Sequence, residues 1–438
     1  MTNKESNYNI LLTEGHGALL ANLVTAALVQ LDDEHVKLVR RILKEPNKPY
    51  FGEEKNTLEI LKNNGFLIDS DFDELAYLKL RFYVARYGNE ALGLSILPTL
   101  RCNFRCVYCY EDHLNIDMEE GVRKNLLRFV DRELPGKREF DISWFGGEPL
   151  LRLDLIEDLS SDFLRLCDRY TVEYKAEITT NGYLLTPSTA KTLAELGVYA
   201  AQVTLDGPPE AHDSRRVLAN GKGTFSQIMD NILENADLLK FKIRVNIDHG
   251  TAPLAGQLLD FLEPVKEKII LGFYPVSPTS RATDSGIKCL SMSSFADVHR
   301  EILKEAHERG FRLVKGFALT ATVYCGAYQF NTHIVDPRGD VFKCVEDVGH
   351  PEHRAGYLTD QGTIQFDYPR MLPWAVWDPF QDPECRKCEV LPVCMGGCLR
   401  LLGRPSKERC FLKQTIKERI RFAFEGVAKA QRKGGEKQ

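Results

Sequence analysis

At 438 residues the chain exceeds what one ordinary hydrophobic core serves, so two or three domains are expected. The formal net charge of −5 gives no basic signature for nucleic acid. No apolar run reaches the ~18 residues that span a bilayer. The N-terminal MTNKESNYN lacks the regions of a signal peptide, so a cytoplasmic chain with no membrane partner is expected. With no secretory signal, the 12 cysteines point to metal or redox use in a reducing compartment and not to disulfides.

Residues 1–90 read as a separate α+β module. Strand-like runs at Tyr8–Thr13 and Ala18–Leu23 flank a Glu14-Gly15-His16-Gly17 turn, and Thr25–Leu31 follows as a third run. Helical stretches come next at Asp33–Lys44, Glu54–Asn64 and Phe72–Tyr87. Acidic clusters at Asp32-Asp33-Glu34 and at Asp69, Asp71, Asp73 and Glu74 offset the basic residues, which weakens a nucleic-acid reading of this module. Arg86-Tyr87-Gly88-Asn89-Glu90 reads as a linker.

A buried strand at Leu92–Leu97 then leads into CNFRCVYC, which sets Cys102, Cys106 and Cys109 in a C-x3-C-x2-C loop. Three thiolates can hold three irons of a [4Fe–4S] cluster and leave the fourth iron open to a ligand. A structural zinc loop that borrows His113 is the rival reading of the same spacing. Further strand candidates fall at Phe140–Phe145, Ala176–Thr179, Val198–Leu205, Lys242–Ile247 and Ile269–Tyr274. Amphipathic stretches such as Met118–Leu134, Pro187–Leu196 and Phe225–Leu239 lie between them. This alternation predicts parallel strands with crossover helices, whose ligands gather at the strands' C-terminal ends.

Several motifs stand at those ends. Phe145-Gly146-Gly147-Glu148-Pro149 closes the second strand, where glycines permit close backbone approach and a carboxylate can accept from an ammonium. Thr179-Thr180-Asn181-Gly182 closes the third and offers hydroxyl and amide groups, or alternatively an Asn-Gly turn that caps the next helix. Thr204-Leu205-Asp206-Gly207 closes the fourth; His212, Asp213 and Arg216 follow and read as a buried ion-paired turn. Asn246 lies on the fifth.

The C-terminal third carries a second cysteine set: Cys325-x13-Gly339-x4-Cys344, then Cys385-x2-Cys388-x5-Cys394-x3-Cys398, then Cys410. HIVDPRGDVFKC reads as a hairpin that returns Cys344 beside the first strand. A pair of zinc ribbons is the alternative for the CxxC-type spacings. Cys167 and Cys289 read as inert thiols. A last helix is expected over Phe411–Ala430, with an unstructured tail over 427–438.

Over about four fifths of the chain these motifs resemble the radical S-adenosylmethionine enzymes that carry a SPASM domain and modify peptides. The resemblance implies an α/β fold with a partial (β/α)6 barrel over 91–316, a winged-helix-like leader-peptide recognition module over 1–90 and an Fe–S-binding SPASM domain over 317–426. It implies S-adenosyl-L-methionine and three [4Fe–4S] clusters as cofactors. Cys102, Cys106 and Cys109 would hold the radical-forming cluster. Cys385, Cys388, Cys394 and Cys410 would hold an outer auxiliary cluster, and Cys325, Cys344 and Cys398 an inner one. Relatives that mature sulfatases place a further Cys where this chain has Asn331, so the inner cluster is expected to lack one protein ligand. S-adenosylmethionine would be met by Gly146, Gly147, Glu148, Pro149, Thr179, Thr180, Asn181, Asp206, Asn246 and the backbone and ring of Tyr108. The implied activity is a thioether crosslink from a Cys sulfur to a carbon of an acceptor residue in a ribosomally made precursor peptide. Other radical crosslinks, epimerisation and formylglycine maturation are the alternatives. The implied partners are that precursor with its leader and a reductant such as flavodoxin or ferredoxin.

Overall fold

The computed structural model describes residues 2–13, 15–278, 280–314, 319–402 and 409–435, with side chains up to 424 except at 280. Glu14 of the first turn, residues 315–318 at the expected domain edge and residues 436–438 of the tail lie outside this description. The chain divides into two compact units: Met1–Arg86 with Lys315–Cys325 and Trp377–Gln438, and Tyr87–Val314 with Gly326–Val376.

In the first unit β1 (Asn3–Glu5) pairs antiparallel with β5 (Leu67–Asp69), while β2 (Asn9–Thr13), β3 (Ala18–Asn22) and β4 (Leu28–Leu31) form an antiparallel meander. Helices Asp33–Lys44, Gly52–Asn63 and Glu74–Tyr87 follow the expected stretches. The first begins where Asp32 accepts the amide of His35, and the third where Asp73 accepts that of Ala76, two residues after the expected Phe72 start. The third strand starts at Leu28 and not at Thr25 because Asn22 bends the chain. Its buried Oδ1 accepts from the amides of Val24 and Thr25, and Ala26 turns at φ 60°. Leu20, Val39, Ile42, Leu61 and Phe66 lie in the core that the meander shares with these helices. The last helix, Phe411–Gly435, extends into the segment that begins at 427.

The second unit is built on β6 (Ala91–Ile96), β7 (Glu139–Trp144), β8 (Glu173–Thr180), β9 (Val198–Thr204), β10 (Lys240–Ile247) and β11 (Ile269–Pro275). All are parallel and lie side by side in chain order. Such an order has no reversal point, so the sheet curls as a barrel wall and does not open as a doubly wound sheet. Six strands leave it open: this is the partial (β/α)6 barrel. On the β6 edge the sheet continues as β12 (Thr332–Val335), parallel to β6, and then β13 (Asp340–Phe342), β14 (Gly356–Leu358) and β15 (Ile364–Phe366), all antiparallel.

Alternate residues of the wall face the helices. Phe140, for example, meets Phe163 of helix Leu153–Tyr170 edge to face at 5.3 Å. The other face is polar. Lys175 donates to Glu139 at 2.9 Å, and Lys242 pairs with Glu177. Parallel sheets are normally apolar on both faces. A charged inner face therefore marks this side of the sheet as solvated.

The expected hairpin at HIVDPRGDVFKC is β12–β13, turned at Gly339 with φ 83°. Asp336 shapes the turn: its Oδ1 accepts from the amides of Arg338 and Asp340 at 2.9 Å each, while its buried Oδ2 has no partner. Burial and then Asp340 push this carboxyl from 3.8 up to about 6. The folded state therefore holds the proton longer than the unfolded chain, and stability falls as pH rises between about 4 and about 6. Asp336→Asn keeps the Oδ1 acceptor and removes the charge. Its melting temperature should exceed wild type at pH ~7 and converge with it at pH ~4, by calorimetry at both values. An equal difference at the two pH values would show that the turn geometry, not the titration, sets the effect.

Candidate active site

The three-cysteine loop is anchored from below and from one side. Below, the glycine turn after β7 presses on the backbone just before Cys102: the amide of Gly147 donates to Thr99 O at 3.3 Å and that of Glu148 to Arg101 O at 2.8 Å. A Cβ on Gly146 would strike Thr99 O, and one on Gly147 would strike Arg101 O and C. Both glycines are required for close backbone approach, and the partner is the cysteine loop's own stem. From the side, residues 215–219 run along the loop. Arg105 N donates to Val217 O at 2.8 Å, Val107 N to Arg215 O at 3.0 Å and Ala219 N to Asn103 O at 2.8 Å. Asn181 Nδ2 completes the frame with a 2.7 Å bond to Asn103 Oδ1.

Tyr108 holds the loop to the barrel. Its hydroxyl donates to Asp206 and accepts from Arg216 at 2.9 Å and from Asn246 Nδ2 at 3.1 Å. Asp206 Oδ1 also accepts from the amide of Asn246 at 3.4 Å. Burial opposes the Arg216 charge, but Cys106, Tyr108 and Asp206 more than offset it and hold the guanidinium well above its usual range. His212, Asp213 and Arg216 do not pair with one another as the sequence suggested. His212 accepts from Asp206 N at 3.3 Å and meets Thr224 Oγ1 at 3.1 Å; burial and Arg216 hold it well below its usual range, hence neutral. Asp213 accepts from the amides of Thr224 and Phe225 at the next helix start, at 2.7 and 2.9 Å.

Glu148 is fully buried. Its oxygens accept from Leu150 N, Thr180 Oγ1 and Asn181 N at 3.0, 2.7 and 2.8 Å, which ties the end of β7 to the end of β8. Burial raises its pKa and these bonds oppose the rise. Glu111, two residues past the last loop thiol, is also buried, and burial pushes it up to about 7. The β12–β13 hairpin packs beside the loop's stem: Ile334, Phe342 and Val345, which follows Cys344, share an apolar cluster with Leu97 and Leu100.

The loop fits an iron–sulfur cluster by its donor chemistry. Burial pushes the Cys102 thiol far up and the Cys109 thiol to about 12, and the amide of Phe104 already donates to Cys102 Sγ at 3.4 Å. A bound metal reverses such a rise by deprotonating the ligating thiol. His113 is held down to about 4 by burial, Arg281 and Arg105.

In the first unit Cys394 lies within electrostatic reach of Cys388, Cys410 and Cys385, and Tyr324 lies within reach of Cys398, Cys394 and Cys325. Asp382 organises the start of this run by accepting the amides of Glu384 and Cys385 at 2.8 and 3.0 Å. Cys344 belongs to the second unit. Asn331 spends its amide on Gly88 O and Asn89 Oδ1, at 3.1 and 2.9 Å. Cys167 is buried on helix Leu153–Tyr170 and pushed up to about 11 by burial and Asp168; Cys289 sits near Asp248.

Sequence reasoning missed Asn103, Arg215 and the strip that zips to the loop. The HD..R signature marked the place, but backbone pairing leaves no residue-type signal.

The stem contact yields a direct test. Gly147→Ala drives a methyl into the backbone of Arg101, which cannot give way without moving Cys102. Iron bound per chain after anaerobic reconstitution should fall, with loss of the visible iron–sulfur absorption, while Gly121→Ala, where nothing lies within 4 Å, should leave both unchanged.

Residues 96–248 match the family model described as the Radical SAM superfamily. The chain is 27% identical over 319 residues to mycofactocin maturase MftC of Mycolicibacterium smegmatis, covering 69% of this chain and 76% of that protein. It is 25% identical over 333 residues to the serine-type anaerobic sulfatase-maturating enzyme of Klebsiella aerogenes, covering 70% and 79%. Among solved structures, anSMEcpe with bound AdoMet and Kp18Cys peptide superposes with a TM-score of 0.60 at 19% identity, covering 78% of this chain and 99% of that one. Streptococcus suis SuiB bound to precursor peptide SuiA gives 0.52 at 16%, covering 93% and 98%. The structural likenesses concern the fold.

Proposed function

Because the chain carries a radical S-adenosylmethionine domain, we propose that it is a peptide maturase that joins a Cys sulfur to a carbon of an acceptor residue in a ribosomally made precursor. The observation that carries this reading is that Val345, next to Cys344, packs on the cluster of Leu97 and Leu100 at the stem of the three-cysteine loop, which sets one further cysteine beside it. The relatives add support: MftC is named a maturase, and SuiB was solved with a precursor peptide. Cys102, Cys106 and Cys109 would hold the cluster. Bound there, the cluster and S-adenosylmethionine would supply a 5′-deoxyadenosyl radical able to remove a hydrogen atom from carbon.

The chain's own residues do the positioning. Tyr108, Asp206, Arg216 and Asn246 hold the loop over the strand ends, and Thr180 and Asn181 orient the Glu148 carboxylate by donating to it. Glu148 would be the acceptor for the cofactor's ammonium group. The polar lumen admits a peptide backbone without stranding its amides. Residues 1–90 would capture the leader by strand addition, since β2 and β4 each pair only with β3 and leave one edge apiece. A flavodoxin or ferredoxin would supply electrons.

A second reading, oxidation of a Cys or Ser side chain to formylglycine, is favoured by the sulfatase-maturating relatives and by Glu346, which lies within reach of Tyr110. It lacks an Asp directly after Cys344, where Val345 stands.

Three clusters require about 12 irons per chain after anaerobic reconstitution, and Ala at Cys102, Cys106 and Cys109 together should leave about 8 and stop 5′-deoxyadenosine formation. Incubated with a Cys-rich precursor, the wild type should consume one thiol per crosslink and form no aldehyde. A hydrazide-reactive product would move the assignment to formylglycine, and zinc in place of iron would overturn both readings. Deleting residues 1–90 should raise KM for the full precursor and spare cofactor cleavage without peptide. An unchanged KM would make the module a structural cap.

A further inference from the structure

The barrel lumen holds one cation prepared for an anion. Arg244 extends from β10, level with Thr204 on β9 and Gly272 on β11. Its guanidinium stacks on the ring of Tyr274, with Cζ 4.2 Å from the centroid, and its Nε donates to Asn246 Oδ1 at 2.9 Å. Gly272 permits this arrangement: a Cβ there would lie 2.7 Å from Tyr274 Cε2 and 2.8 Å from the phenolic oxygen. The bare strand lets the ring fold back along the wall. One face and one edge of the guanidinium are thereby fixed, and among the described residues neither terminal amino group has a hydrogen-bond partner.

The other cations on this face differ. Lys242 is paired with Glu177, and Lys175 with Glu139 at 2.9 Å and Glu173 at 3.3 Å. Lys240, exposed at the N-terminal end of β10 and two rungs from Arg244, lies over the ring of Tyr199 at 5.9 Å. Among the described residues no carboxylate comes within 4.0 Å of Arg244. A guanidinium held by stacking, with its two amino groups presented side by side, suits a carboxylate bound through two parallel bonds. The cofactor's own carboxylate is poorly placed to be the ligand. Its amino-acid end is expected at Gly146–Pro149 and Thr180–Asn181, at the ends of β7 and β8, whereas β9 stands between β8 and Arg244.

We infer that Arg244, with Tyr274 and Asn246, forms a carboxylate subsite in the lumen that selects a substrate peptide with an acidic side chain or a free C-terminus near the residue to be modified. The inference rests on the peptide-maturase reading and adds a sequence preference to it. Lys242 on the same strand, already neutralised by Glu177, does not compete for the ligand.

The test uses reconstituted full-length enzyme with S-adenosylmethionine bound and three probes: acetyl-Gly-Glu-Gly-amide, its Gln counterpart, and acetyl-Gly-Gly-Gly with a free carboxylate. Dissociation constants come from saturation-transfer NMR, without turnover. In the wild type one of the two acidic probes should bind about tenfold or more tighter than the Gln probe, and which one does so identifies the source of the carboxylate. Arg244→Gln should erase that preference and leave the Gln probe and S-adenosylmethionine affinities unchanged; Arg244→Lys should retain part of it. No preference in the wild type, or a preference that survives in R244Q, overturns the subsite. So does a loss of S-adenosylmethionine affinity in R244Q, which would assign the guanidinium to the cofactor. An enzyme that modifies its precursor yet shows no acidic preference fails here and leaves the peptide reading intact.

Discussion

The hydroxyl of Tyr108 is the point through which the cysteine loop is attached to the barrel. It stands between a buried carboxylate, Asp206, and a buried guanidinium, Arg216, with Asn246 as a third partner. Taking two opposite charges out of water costs several kcal/mol per ion, and their attraction offsets this only when the remaining hydrogen-bond capacity is filled. Here the phenol supplies part of it, by donating to one and accepting from the other, while Arg216 Nε stays buried without a hydrogen-bond partner among the described residues. An apolar ring at 108 would leave both charges short of a partner in a dry site. This network is therefore a constraint on geometry before it is a source of stability: the loop can occupy one position over the ends of β9 and β10 and no other.

Much of this was legible in the sequence because it follows from residue type and period. The six barrel strands were marked as apolar runs alternating with helical stretches, and each lies within a few residues of its expected place. The turn at Pro337-Arg338-Gly339 was marked by its chemistry, since only glycine adopts φ 83° without strain. Boundaries slipped where a side chain bonds to backbone. Asn22 holds the chain in a turn and delays β4, and Asp73 rather than Phe72 starts the third helix. At the site, residue types announced which groups matter but not whom they meet. Gly146 and Gly147 were read as making room for a ligand, and their nearest neighbour is the stem of the cysteine loop. Arg216 was read as one member of an ion-paired turn, and its partner sits 108 residues away in sequence. Long-range pairing leaves no local signal, so these assignments need coordinates.

The inner face of the barrel carries a second lesson about burial. A parallel sheet with helices on its outer face usually repeats Val, Ile and Leu without interruption. Here strands such as EFDISW and KFKIRVNI alternate, with Phe140, Ile142 and Trp144 turned to the helices and Glu139 and Asp141 turned inward. The charges inside are not random. Glu139, Glu173 and Glu177 neutralise Lys175 and Lys242 in the N-terminal half of the wall, where nothing is expected to react. Ser143 shares the rung of Glu177, and Thr179 and Gln202 share that of Lys242; Arg244 follows one rung nearer the C-terminal ends, past the last of these pairs.

That gradient has a physical consequence for what the lumen can hold. Paired charges in the N-terminal half of the wall set no sign preference. Nearer the loop the hydroxyls and amides accept or donate without regard to charge, and Arg244 is the group proposed to distinguish an acidic from a neutral segment. Its orientation is imposed by Tyr274, and Tyr274 lies flat only because position 272 has no side chain. Selectivity would then be settled by three residues on two adjacent strands, one rung below the Asn246 that also reaches Tyr108. The same asparagine thus joins the network that fixes the loop to the group poised for the substrate.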